Sequence, residues 1–441
     1  MRSEPPVATA AAAWPTAHLS RLFGVRLLFH PASRQRLAVF AAGLSVIGFA
    51  VRAALQLGGL GRASLQYDYK PYYDAATSLN QGGDPYAAFL NACGPVWCHV
   101  GYIYPPLLAE LFRPLALLTP HHGAVIWLVL SYLLLAASIL VADRVVRGWL
   151  SPTARAMLLL AAMVFVPLYK NFYFLQVGAL MLLLLAATAW AFTRRRDAAT
   201  GGLLGLAAVL RVTPLIQAPM LVRSRADLRR PAGVAGLLIG ILAIMGTLAV
   251  LTNTTFEYVN TVLPRLGLSI GILDNLSLPG ALVRADVLTG GSGHAVLKYL
   301  SVGLQVSILA VTWLYSLRVE GARQRAAVFA AFLAVTPIVS SITWDHHLVT
   351  ELLVLALLAP SLRSGSRAWW LAVASYPLLW VPRGVTDPIV SLLGLDFPHG
   401  LVVVPFLLVT GLNLVGMILL WLACIDTLGS QRAAVAGPST R

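Results

Sequence analysis

Two clusters in this sequence carry the side-chain types that chemistry needs. The first is Tyr67-Asp68-Tyr69-Lys70-Pro71-Tyr72-Tyr73, a lone carboxylate ringed by phenols in a polar stretch. Partly removed from water among aromatics, such a carboxylate can act as a general base; a solvated loop aspartate is the competing reading. The second is Trp344-Asp345-His346-His347. Adjacent histidines at a helix end point in different directions, so one of the two is expected to face a site. Arg52, Lys70, His346 and His347 are candidates to hold an anion, with arginine favoured for its forked donors. No H-x-x-x-H or D-x-D spacing occurs, so no metal is expected.

These residues must be positioned by membrane helices. The chain has 441 residues, 58% apolar and 11% charged, with a mean hydropathy of +0.78, whereas a soluble protein carries roughly 25% charged residues. That excludes soluble-enzyme classes and points to an all-α polytopic membrane protein. A net charge of +15 could suggest nucleic acid. However, only Lys70, Lys170 and Lys298 are lysines, and the arginines sit mostly in short clusters between apolar runs, which is the pattern of cytoplasmic loops. No nucleic-acid partner is expected.

Ten apolar runs read as spans: 36–58, 122–142, 153–169, 176–193, 232–252, 294–317, 325–342, 347–361, 367–382 and 400–425. Residues 1–35 form a basic cytoplasmic segment, 36–426 the membrane domain and 427–441 a cytoplasmic tail. The first run is too long for a cleaved signal. The stretch 201–222 is long enough to cross but carries Arg211 and Pro214 in its middle, with arginine clusters on both sides. A full crossing would carry every later arginine cluster to the outer face, so a re-entrant pair of short helices is expected. Arg211 is then expected nearer the cytoplasmic side, contacting lipid or bracing that element. The longer polar loops, 59–120 and 253–293 among them, fall on the outer face with Asp68, Asp274, Asp345 and His346. Cys93 and Cys98 share the first outer loop, either as a disulfide or as two free thiols.

Asp68, Tyr72, Tyr73, Ala75 and Ala76, then Gly83-Asp84-Pro85-Tyr86, Tyr104-Pro105-Pro106 and Pro114-Leu115, resemble the N-terminal signature of the bacterial GT-C glycosyltransferases of family 87. The resemblance continues through Leu175-Gln176-Val177, the Arg211-containing stretch, Asp274-Asn275-Leu276 and Ser340 to His347. It implies a GT-C-like fold and transfer of a sugar, mannose before arabinofuranose, from a polyprenyl-phosphate donor to a glycolipid or glycan hydroxyl on the outer face. It casts Asp68 as base and puts Arg52, Lys70, Tyr72, Gln176, Asn275, His346 and His347 around the donor, with Tyr104 and Arg211 as lipid-contacting or structural residues. No cofactor is implied; the lipid-linked sugar is a substrate. The chain departs from the family where Gly-Gln-Val-Asn becomes Leu175-Gln176-Val177-Gly178. Tyr104-Pro105-Pro106 is expected to fix the chain's return into the membrane. A transporter or a non-enzymatic lipid-binding scaffold are the readings from other classes, but the spans hold almost no acid and no repeat is evident.

Overall fold

The computed structural model describes residues 31–60, 68–93, 101–224, 227, 229, 231–252, 254–291, 293–317, 319–394 and 403–436, and no strand occurs among them. Whether Cys93 and Cys98 form a disulfide or stay free thiols falls outside the described residues, because Cys98 is not among them, and so does most of the basic N-terminal segment. The elements are α1 Pro31–Gly59, α2 Tyr69–Asn80, α3 Ala87–Cys93, α4 Pro106–Phe112, α5 Pro120–Val146, α6 Pro152–Val164, α7 Val166–Tyr173, α8 Gly178–Thr193 and α9 Asp197–Leu210. A 3-10 segment Thr213–Leu221, α10 Ala232–Thr252 and a helical stretch 254–266 with a π turn at Tyr258–Val262 follow. The chain continues as α11 Leu278–Leu288, α12 His294–Ser316, α13 Ala322–Val339, a 3-10 turn Asp345–Thr350, α14 Glu351–Leu358, α15 Arg367–Leu378, α16 Arg383–Leu392, α17 Val403–Thr410 and α18 Leu412–Ala436.

Local sequence sets the starts of several helices. Thr119, Ser151 and Ser366 each accept a backbone N–H of the following turn, and Pro120 and Pro152 occupy the first helical position, where the missing amide costs nothing. Six helices (α1, α5, α10, α12, α13 and α18) are each long and apolar enough to cross a membrane. The remaining four predicted spans are interrupted or short. Run 153–169 is the pair α6–α7, bent by 51° where Phe165 is extended and Pro167 removes an amide. Run 176–193 is the 16-residue α8, run 347–361 is α14 flanked by 3-10 turns, and run 367–382 ends as α15 at Leu378. Hydropathy registers apolar length and is blind to these breaks.

The centre of the bundle is α13. Its alanines 326, 327, 330, 331 and 334 are fully enclosed, and their small size lets neighbouring helices approach closely. Beside it, the 197–222 segment leaves one end of the bundle and comes back to it. At its start, Asp197 lies 3.3 Å from Arg325 Nη2, and Arg325 Nε donates to Phe192 O at 2.6 Å. At its end, Arg223 donates to Ser316 O and Val319 O, and its guanidinium lies over the Phe192 ring at 5.1 Å, as that of Arg325 does at 4.2 Å. Both ends therefore meet at Phe192, so the segment folds back on itself. Its two arms are an α-helix and a 3-10 helix.

The outgoing arm α9 is clamped on α10 through glycines. A Cβ on Gly201 would lie 1.8 Å from Gly233 O, and one on Gly236 would lie 2.2 Å from Ala198 O. Backbone atoms cannot rotate away, so Gly201→Ala is expected to separate the helices and lower the Tm of the detergent-solubilised protein by several degrees. Gly202→Ala, whose Cβ meets nothing nearer than Gly236 O at 3.9 Å, is expected to leave Tm unchanged or slightly raised. Equal effects of the two substitutions in a thermal unfolding assay would refute this packing.

Candidate active site

Asp68 stands at the N-cap of α2 without bonding the helix amides, and it is half-buried. Its carboxylate has no hydrogen-bond or ion-pair partner among the described residues. Helical spacing puts Tyr72 one turn on, fully enclosed, with its hydroxyl donating to Gln176 Oε1 at 2.7 Å. Tyr104 packs edge-on against Tyr72 with centroids 5.2 Å apart, and its hydroxyl lies 3.5 Å from the same amide oxygen. Burial raises the pKa of both phenols, and the Asp68 charge adds to the rise. They remain neutral hydrogen-bond donors.

Arg211 supplies the opposing charge. It breaks α9 with an extended backbone (φ −157°, ψ 124°) at the turning point of the re-entrant segment. Its guanidinium makes no hydrogen bond or ion pair among the described residues. Its field is felt at Tyr72, Tyr104 and His347. This corrects the expected position near the arginine-rich end: the segment carries Arg211 through the bundle to the Asp68 end.

His347 lines a narrow cavity of about 40 Å³ together with Arg211, Gln217, Thr336, Ser340 and Thr343. Its Nδ1 accepts the Trp344 amide at 3.1 Å, which assigns the ring proton of the neutral form to Nε2, and Nε2 is buried with no partner among the described residues. His346 turns the other way, toward Asp345 at 3.6 Å and Phe174. Of the adjacent pair, then, His347 shares the cavity with Arg211. Asp345 is ion-paired to Lys170 of α7. Burial works to raise its pKa, but the hydrogen bond and charge of His346 and the Lys170 ammonium outweigh that and hold it at about 2.

Other predicted positions lie elsewhere. Lys70 pairs with Asp74 on the exposed face of α2. Asn275 is fully buried, and its amide is used up: Nδ2 donates to Ile270 O and Ser341 O, and Oδ1 accepts from the amides of Ser277 and Thr343. It ties the 269–277 loop to the chain after α13 and has no group left for a ligand. Arg52 stacks over Tyr169 at 5.3 Å in a separate cavity. Pro105 is extended and Pro106 starts α4, as expected for the chain's return.

Three residues escaped the sequence reading. Gln217 is fully buried in the Arg211 cavity with both amide atoms unpartnered; its signal was a lone amide between Pro214 and Pro219. Lys170, one of only three lysines, orients the histidine turn through Asp345. Asn171 fills the space over Gly178, where an added Cβ would fall 2.1 Å from Asn171 Oδ1. Both Asn171 amide atoms are buried with no hydrogen-bond partner among the described residues. Leu175, at the pattern's glycine, holds φ = 53°, a left-handed conformation that costs a non-glycine residue about 1–3 kcal/mol. Among the described residues no group of three or more His, Cys, Asp or Glu converges.

A family model described as glycosyltransferase family 87 matches residues 102–341, more than half of the chain, with Asp68 lying ahead of the matched region. Among curated proteins, a polyprenol-phosphate-mannose-dependent α-(1-2)-phosphatidylinositol pentamannoside mannosyltransferase of Mycobacterium tuberculosis is 27% identical over 369 residues, covering 81% of both chains. A polyprenol-phosphate-mannose-dependent α-(1-2)-phosphatidylinositol mannoside mannosyltransferase of Mycolicibacterium smegmatis is 27% identical over 356 residues, covering 73% of this chain and 77% of its own.

The depressed pKa of Asp345 sets a pH window for stability. The contacts of Asp345 with His346 and Lys170 stabilise the fold above the unfolded carboxyl's pKa of 3.8, and their contribution disappears as pH falls through about 2. Because Asp345 and Lys170 are both partly exposed, the contribution is about 1 kcal/mol. Asp345→Asn is expected to lower Tm at pH 7, with the gap from wild type narrowing below pH 4. A gap independent of pH in thermal unfolding would remove these contacts as its cause.

Proposed function

The chain belongs to glycosyltransferase family 87, and from that premise we propose that it transfers mannose from a polyprenyl phosphate to a hydroxyl of a glycolipid, on the extracytoplasmic face, with Asp68 as general base. The observation that carries this reading is that a carboxylate and a guanidinium without partners among the described residues, Asp68 and Arg211, act on the same two buried phenols, Tyr72 and Tyr104. One group suits the proton of an incoming hydroxyl, and the other suits the phosphate that departs.

The acceptor oxygen attacks the anomeric carbon while its proton passes to the Asp68 carboxylate. The carbon–oxygen bond to phosphate breaks, and its electron pair leaves with the polyprenyl phosphate. Arg211, with its forked donors, and His347 Nε2–H stabilise the charge that develops there. The 40 Å³ cavity beside Arg211 is too small for a sugar, so in this reading the mannose lies outside it. Tyr72 and Tyr104, held neutral, donate to sugar hydroxyls without competing for the proton. The relatives' names support mannose as the donor sugar and a phosphatidylinositol mannoside as the acceptor class. Arg34, Arg155, Arg194, Arg195, Arg223 and Arg325 cluster at the ends of the helices that would face the cytoplasm, which supports the assignment of faces.

The test is transfer by purified protein in nanodiscs with synthetic polyprenyl-phosphate-mannose and, separately, polyprenyl-phosphate-arabinose. Mannose transfer is expected, with Asp68→Asn lowering kcat about 10²–10⁴-fold in protein of wild-type Tm. Arabinose transfer alone would overturn the sugar assignment, and unchanged kcat in Asp68→Asn would overturn the base. Arg211→Gln is expected to lower kcat and raise the donor KM, and Arg211→Lys is expected to recover only part of both, since a point charge lacks the fork. Full recovery in Arg211→Lys would reduce its role to charge alone.

A further inference from the structure

Arg52 has no place in the chemistry just described. It lies on α1 seven residues before Gly59, about 10 Å of helix from the Asp68 end. Its guanidinium rests on the Tyr169 ring, and Nη1 is enclosed without a partner among the described residues. No carboxylate pairs with it among the described residues. The polar groups around it are already engaged: Gln56 donates to Tyr169 O and accepts the Tyr132 hydroxyl, and Tyr132 is stacked on Phe172 at 4.2 Å. The cavity they enclose, about 640 Å³, has a rim of Ile47, Val51 and Leu55, which are 62%, 53% and 71% exposed. In a bilayer that rim faces hydrocarbon, so the cavity opens sideways to lipid. An arginine at this depth without an acid is costly, and it is the mark of a functional group. The anion a membrane supplies is a lipid phosphate.

We propose that the Arg52 cavity binds the phosphodiester of the lipid-anchored acceptor, as a second phosphate site distinct from the place where the donor phosphate departs. This rests on the reading that the acceptor is a glycerophospholipid-anchored glycan. The donor phosphate is bonded to the anomeric carbon and must lie at the reacting centre beside Asp68 and Arg211. The Arg52 cavity shares no lining residue with the Arg211 cavity. The helix α7 gives Tyr169 and Phe172 to the Arg52 cavity and none of its residues to the Arg211 cavity. One phosphate cannot occupy both places. A lipid-anchored glycan carries its phosphate and its reacting hydroxyl at opposite ends of the sugar chain, and the two separated arginines match two separated phosphates.

The test uses full-length protein in phosphatidylcholine nanodiscs with two acceptors, phosphatidylinositol mannoside and a phosphate-free alkyl mannoside. In Arg52→Gln, the KM for the lipid acceptor is expected to rise at least tenfold relative to both the alkyl mannoside KM and the donor KM, with Arg52→Lys recovering part of the shift. A shift in the donor KM, or equal shifts for the two acceptors, would overturn the proposal. Binding is read without turnover by native mass spectrometry. Wild type is expected to retain phosphatidylinositol over diacylglycerol, and Arg52→Gln to lose that preference. Loss of polyprenyl phosphate instead would assign the site to the donor and overturn the proposal. Retained phosphatidylinositol in a wild type that transfers no mannose would sink the sugar-transfer reading while the phosphate site stands.

Discussion

An arginine in the middle of an apolar stretch must reach water, an acid or an anion, and the site depends on how Arg211 meets that demand. The chain cannot continue as a lipid-facing helix through it, so α9 ends there in an extended residue and returns as a 3-10 segment. Both ends of the excursion are held at Phe192 by Arg325 and Arg223, and the glycine clamp on α10 holds the outgoing arm. With the base of the hairpin fixed, the tip has one place to go, and Arg211 arrives beside Tyr72, Tyr104 and His347.

The other half of the site is assembled around the end of α13. Its Pro337 carbonyl accepts the Thr343 hydroxyl, and Leu276 N donates to Thr343 O, so the chain leaving the central helix is sewn to the 269–277 loop by Asn275 and Thr343. From that fixed crossing the 3-10 turn starts at Asp345, Lys170 holds it from α7, and His347 is left facing the cavity. Asn275 thus contributes by building the support, although its motif suggested contact with the donor.

The chain departs from the family pattern at Leu175 and Gly178. Leu175 keeps the left-handed backbone that a glycine would adopt freely. Its carbonyl accepts Trp127 Nε1 at 2.9 Å, and its side chain is buried, so packing offsets the strain. Gly178 gives up a side chain, and Asn171 occupies the space.

Apolar runs, arginine clusters and the proline next to a charge determined by themselves that this is a helical membrane protein and that 201–222 turns back. These are one-dimensional signals, because burial and charge placement depend on residue type along the chain. The depth of Arg211, the choice of His347 over His346, the burial of Gln217 and the separation of Arg52 were decided only in three dimensions. Each depends on which helix passes beside which, and that follows from backbone contacts such as Gly201 on Gly233 and from a bend at Phe165, which leave no trace in hydropathy.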